Sequence, residues 1–197
     1  MFLRKRKEKF MKKILRFLTI SIMIMMVAGL STTVFASSTT RKAKNAYVKA
    51  INNRTIKTSK EMWCALKDVD KNGVPDLLIS KYARFYIYTY RNGKVVRMVK
   101  RDCEYYMYYN AKKRIFSEVG EGDSGWRIDY KLKNGKLVET ARYEGYSKNG
   151  KFYQYKIVGS KKTPISRKRY LRVFNGAEEN SCLVKMTKSQ LKKKLKK

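Results

Sequence analysis

The chain has no histidine. That removes the commonest general base, the usual partner of a nucleophilic serine or cysteine, and the commonest zinc ligand. Acids are scarce: 15 Asp and Glu stand against 48 Lys and Arg, a formal charge of +33. Proline occurs twice, as Pro75 and Pro164, the second in a Gly-Ser-Lys-Lys-Thr-Pro stretch of loop composition. The three cysteines, Cys64, Cys103 and Cys182, match no metal-binding spacing. An odd number permits at most one intramolecular bridge and leaves a thiol over. They read as three small buried hydrophobes, with a single bridge of unassigned partners as the alternative. The apolar run from Leu18 to Leu30 is shorter than the roughly 20 residues that span a bilayer.

That run instead belongs to an export signal. Residues 1–17 hold Arg4, Lys5, Arg6, Lys7, Lys9, Lys12, Lys13 and Arg16 against one acid, Glu8. The apolar stretch follows, then Val34-Phe35-Ala36 with small side chains at its first and third places. A basic region, an apolar core and a small-x-small exit predict cleavage after Ala36. Met11-Lys12-Lys13 begins such a signal equally well, so translation starts at Met1 or Met11. Removing 1–36 leaves 161 residues with 40 bases and 14 acids, about +26. The predicted localisation is extracellular, with cell-wall association. So strong a charge attracts polyanions and says little about fold.

Periodicity predicts a mainly β (β-rich α+β) domain. Arg41 to Asn52 forms a short helix with Ala43, Tyr47 and Ile51 on one side. Along Arg84–Tyr90, Phe85, Ile87 and Thr89 alternate with Tyr86, Tyr88 and Tyr90, the two-residue period of a strand. Asn92-Gly93, Asn134-Gly135 and Asn149-Gly150 lie between apolar runs, which is the sequence mark of tight hairpins. Strands follow near 83–90, 94–101, 104–109, 114–119, 126–132, 136–144 and 151–158. Residues 37–60 form an N-terminal segment with the helix. Residues 61–160 form an antiparallel meander curled into a sandwich or partial barrel. Residues 161–197 form a basic extension in which Ile165–Phe174 is a helix or a further strand. Thr187 caps a basic helix over Lys188–Lys196.

The most specific chemistry lies in Asp68-Val69-Asp70-Lys71-Asn72-Gly73-Val74-Pro75-Asp76. Calcium takes six to eight oxygens, and oxygen side chains at alternate places of a tight loop can surround it. The candidate ligands are Asp68, Asp70, Asn72, the carbonyl of Val74, and Asp76. An EF-hand needs a bidentate acid at position 12, where this chain has Ile79. With strand-like segments on both sides, the loop resembles the FG-GAP or integrin-type loop over about twelve residues. That resemblance implies one calcium ion in a structural role. Lys71, and Asn72 where Asp is commoner, depart from the pattern and weaken such a site. A loop of this kind followed by tyrosine-rich hairpins is also similar to small secreted proteins of clostridial, Gram-positive bacteria. The alternative is a metal-free Asx turn.

Other candidates carry less specific chemistry. Tyr86, Tyr88 and Tyr90 share a strand face and, if exposed, would stack on sugar rings or bases. Glu118, Glu121 and Asp123 could serve a histidine-free hydrolase as acid and base. The tail from Lys185, with Leu191 and Leu195 four apart, makes a basic amphipathic helix whose Lys192, Lys193, Lys194, Lys196 and Lys197 suit a polyanion or a peripheral membrane surface. Nucleic acid is a further polyanion that no fold signature supports. The sequence thus predicts a secreted, non-enzymatic binding protein that associates electrostatically with an anionic envelope polymer or glycan.

Overall fold

Three Asn-Gly pairs set three of the hairpins. At Asn92-Gly93 both residues take positive φ, 49° and 77°, which matches the twist of two antiparallel strands joined by two residues. Asn134-Gly135 and Asn149-Gly150 repeat the device. The computed structural model describes residues 38–120 and 125–197. The chain divides into two units, Met1–Arg41 and Lys42–Lys197. Of the first, residues 38–41 are described and are helical; the export signal at 1–36 lies outside the described residues.

Helix α1 is described over residues 38–52. Then come β1 (Met62–Lys67), β2 (Asp76–Lys81), β3 (Arg84–Arg91), β4 (Lys94–Asp102), β5 (Tyr106–Asn110), β6 (Ile115–Gly120), β7 (Trp126–Lys133), β8 (Lys136–Lys148), β9 (Lys151–Val158) and β10 (Lys161–Pro164). Helix α2 (Arg167–Glu179), strand β11 (Val184–Met186) and helix α3 (Lys188–Lys196) complete the chain. Two antiparallel sheets result, in orders β11-β1-β2-β3-β4 and β10-β9-β8-β7-β6-β5, and they form a sandwich rather than a closed barrel. Strands β3 to β9 fall within a few residues of the predicted ones.

Two apolar layers hold the fold. Between the sheets lie Leu78, Phe85, Ile87, Met107, Tyr109, Phe116, Ile128 and Tyr130. Phe85 meets Phe116 edge-on across the gap, ring centres 5.7 Å apart. The outer face of the five-stranded sheet carries Cys64, Leu77, Ile79, Tyr86 and Tyr88, covered by Tyr47 and Ile51 of α1 and by Leu191 and Leu195 of α3. Leu77-Leu78-Ile79 is apolar without a break because this strand is buried on both faces. Each fully buried Leu, Ile or Phe contributes roughly 1.5–3 kcal/mol.

The last 37 residues differ from the expected extension. β11 returns to pair with β1, Met62 opposite Met186, and so supplies the edge strand of the first sheet. Within Ile165–Phe174 the chain is helical from Arg167: Ser166 caps α2 and accepts from the Arg169 amide. Thr187 caps α3 in a capping box with Gln190, as the sequence indicated. Among the described residues no helix is long and apolar enough to cross a membrane.

Candidate metal loop and cationic surface

The acidic loop joins β1 to β2 where Lys67 pairs with Asp76. Its acids are locked by local hydrogen bonds. Asp68 Oδ1 accepts from the Asn72 amide at 3.1 Å and Oδ2 from the Gly73 amide at 2.9 Å. Asp70 Oδ1 also accepts from the Asn72 amide, at 3.2 Å. Gly73 stands at φ 80°, a backbone state that other residues adopt only under strain. The result is one cluster: a carboxylate oxygen from each of Asp68, Asp70 and Asp76 lies within 4.8 Å of the others.

Asp76 is the unusual member, with none of its surface exposed. Its Oδ2 accepts from the Val69 amide at 2.9 Å, while its Oδ1 has no hydrogen-bond partner. Burial pushes its carboxyl up to about 6; Thr89 and the Val69 amide pull it down, and the charges of Asp70 and Asp68 add to the rise. The Thr89 hydroxyl is close enough to temper the shift, yet it too is left without a hydrogen bond. An acceptor with no donor is costly in a buried site, and a hard cation is the partner that suits it.

The Asn72 side chain is engaged within the turn itself. Asn72 Oδ1 accepts from the Val74 amide at 2.7 Å and its Nδ2 donates to Asp70 at 3.1 Å, so that side chain already serves the turn. The Val74 side chain packs on the outer core, which leaves the part proposed for its carbonyl untouched. Three supports were not legible from the motif. Tyr47 of α1 donates to the Pro75 carbonyl at 3.0 Å, with the Tyr88 carbonyl 3.1 Å away. Arg114, from the β5–β6 turn, donates to the Val69 carbonyl at 2.8 Å. Arg91, at the end of β3, pairs with Asp70 and supplies positive charge at the loop.

The predicted tyrosine face is corrected by burial. Tyr86 and Tyr88 are each 2% exposed and stack on one another at 5.9 Å, so they present no ring to a ligand. Tyr90 is half-buried against the same core. The helices that cover them are distant in sequence, so the alternating pattern alone leaves the covered face undecided. Accessible stacked tyrosines occur elsewhere. Tyr146 lies 5.3 Å from Tyr153 and 5.8 Å from Tyr155, nearly parallel to both, with the Lys162 amine 4.3 Å over Tyr155. The Asn149-Gly150 turn was the available signal, because it places Tyr146 opposite Tyr153.

The remaining candidates separate. Glu118 is buried; it accepts from Arg101 at 3.0 Å and from the Tyr130 hydroxyl at 3.1 Å, and Arg101 stacks over the Tyr130 ring. This is a half-buried ion pair that bridges the two sheets. Glu121 and Asp123 lie outside the described residues. Cys64, Cys103 and Cys182 are free thiols, and burial raises all three, Cys64 and Cys103 up to about 12. In α3, Lys193, Lys194, Lys196 and Lys197 are exposed and Lys192 half-buried, while Leu191 and Leu195 are sealed into the core. The apolar stripe of that helix is therefore occupied and offers nothing to a bilayer.

No protein-family model and no curated protein matches the chain. A solved structure described as a Xanthomonas type IV secretion system related protein shares 12% identity with it, at a TM-score of 0.33. The match covers 53% of this chain and 58% of that one, a likeness too slight to assign a family.

Proposed function

We propose that the chain is an exported, non-enzymatic binding protein. Its 68–76 loop holds one calcium ion in a structural role, and its basic surface associates with an anionic envelope polymer or glycan. The observation that carries the metal part is the convergence of one carboxylate oxygen from each of Asp68, Asp70 and Asp76, together with the unpaired, buried Oδ1 of Asp76. With calcium present, the loop takes the FG-GAP role of stiffening a strand connection. The three carboxylates supply charge, and carbonyl or water oxygens complete the shell.

Two features support the polymer part. The chain beyond residue 36 carries about +26, which favours binding by release of the polymer's counterions. The Tyr146-Tyr153-Tyr155 stack, with Lys162 over it, offers aromatic rings beside positive charge, a combination that suits acidic sugars. Sedimentation with purified Gram-positive cell walls tests this. Retention is expected at physiological ionic strength and release in molar salt; retention that survives molar salt would contradict it.

A further inference from the structure

Between α2 and the outer face of the six-stranded sheet lies a cleft of about 690 Å³. That volume falls in the ordinary range for ligand sites. Its floor is β7 and β8. Arg127 there pairs with Asp129 at 2.7 Å and donates to the Val173 carbonyl of α2, which ties the helix over the sheet. Asp129 is buried and also accepts from Ser117 at 2.7 Å. The one acid lining the described cleft is thus fully engaged by the floor.

The walls are cationic. Arg169 and Arg172 project from one stripe of α2, and Lys113 comes from the β5–β6 turn. None of the three has an ion-pair partner among the described residues. Gly176 lies one turn further along the helix and lines the cleft without a side chain. The Tyr143 ring forms part of the floor under Arg127, 6.0 Å from the guanidinium. Three unpaired cations around a concave site concentrate positive potential, and the guanidinium forks present paired donors that match a carboxylate, sulfate or phosphate. Tyr143, another lining residue, adds a hydroxyl donor.

We propose that this cleft is the seat of an anionic sugar unit, gripped by Arg169, Arg172 and Lys113 beside Tyr143. The assignment rests on the view that the partner is an anionic glycan and gives that partner a defined place.

Fluorescence anisotropy on the intact protein tests it with two labelled probes, a heparin hexasaccharide bearing sulfates and a hexagalacturonate bearing carboxylates. The better-bound probe identifies the anion. R169E/R172E weakens that probe by about tenfold or more. G176L fills the cleft without altering charge and weakens it to a similar degree. K42E/K49E makes the same charge change at two exposed lysines of α1 and has less than about a twofold effect. Equal losses in the two charge-reversal variants, with G176L binding normally, would overturn the cleft and leave a delocalised electrostatic association standing. Failure of the unmodified protein to bind either probe would overturn the glycan view and the cleft with it. Tighter binding of a twelve-residue thymidine oligonucleotide through the same arginines would replace the sugar with nucleic acid.

Discussion

Calcium should raise the melting temperature of this protein, and removing the charge of Asp76 should abolish the rise. At an effective dielectric of about 20, two unit charges 4.8 Å apart repel by about 3 kcal/mol, and Asp68, Asp70 and Asp76 make three such pairs. Arg91 offsets part of this at Asp70 only. A divalent ion among the three converts repulsion into attraction and gives Asp76 Oδ1 a partner. Extracellular calcium modules bind at about 10⁻⁴–10⁻³ M. Millimolar calcium is up to about ten times that constant, and binding then stabilises the folded state by about 1.4 kcal/mol. For a domain of this size that corresponds to roughly 3–6 °C. The assay is thermal unfolding by circular dichroism in EGTA, in millimolar calcium and in millimolar magnesium. Calcium should give the shift and magnesium less, because magnesium demands stricter geometry and keeps its waters. Asp76→Asn keeps the side-chain shape and the bond to Val69. That variant should match or exceed the native chain in EGTA and show no calcium response. Equal calcium shifts in the two proteins, or none in either, would refute the reasoning.

Three further outcomes follow from the packing. Glu118→Ala removes the acceptor of Arg101 and of the Tyr130 hydroxyl and should lower stability by about 1–2 kcal/mol in urea unfolding; an unchanged midpoint would show that the pair does not hold the sheets together. Leu191→Ala opens a cavity in the outer core and should cost about 3 kcal/mol, a loss visible in the same experiment and absent if α3 is a solvated tail. A thiol reagent should label Cys182 first in the native protein, with Cys64 and Cys103 reacting only on unfolding, since burial holds both as unreactive thiols; rapid native labelling of Cys64 would contradict the burial.

What was legible in the sequence was local. The Asn-Gly turns fix their own hairpins, so β3 to β9 could be drawn from residues a few places apart. Asp68, Asp70 and Asp76 were found for the same reason, since loop spacing alone brings them together. What escaped was set by partners far along the chain. Tyr86 and Tyr88 carry a strand pattern that fits either exposure; α1 and α3, on opposite sides of them in sequence, decide it. The lysines of α3 masked Leu191 and Leu195, and three-residue β11 is too short to leave a periodic signal. Arg91, Tyr47 and Arg114 reach the loop from three other elements, and no motif names them. The cleft under α2 needed the helix placed before its arginines could be seen to face Lys113.

Isothermal titration of calcium into the purified protein addresses the loop without intermediaries. One ion per chain should bind at sub-millimolar affinity, and Asp70→Ala should erase the heat. A native protein that gives no heat in millimolar calcium would leave the three carboxylates as an ordinary turn and remove the metal from this fold.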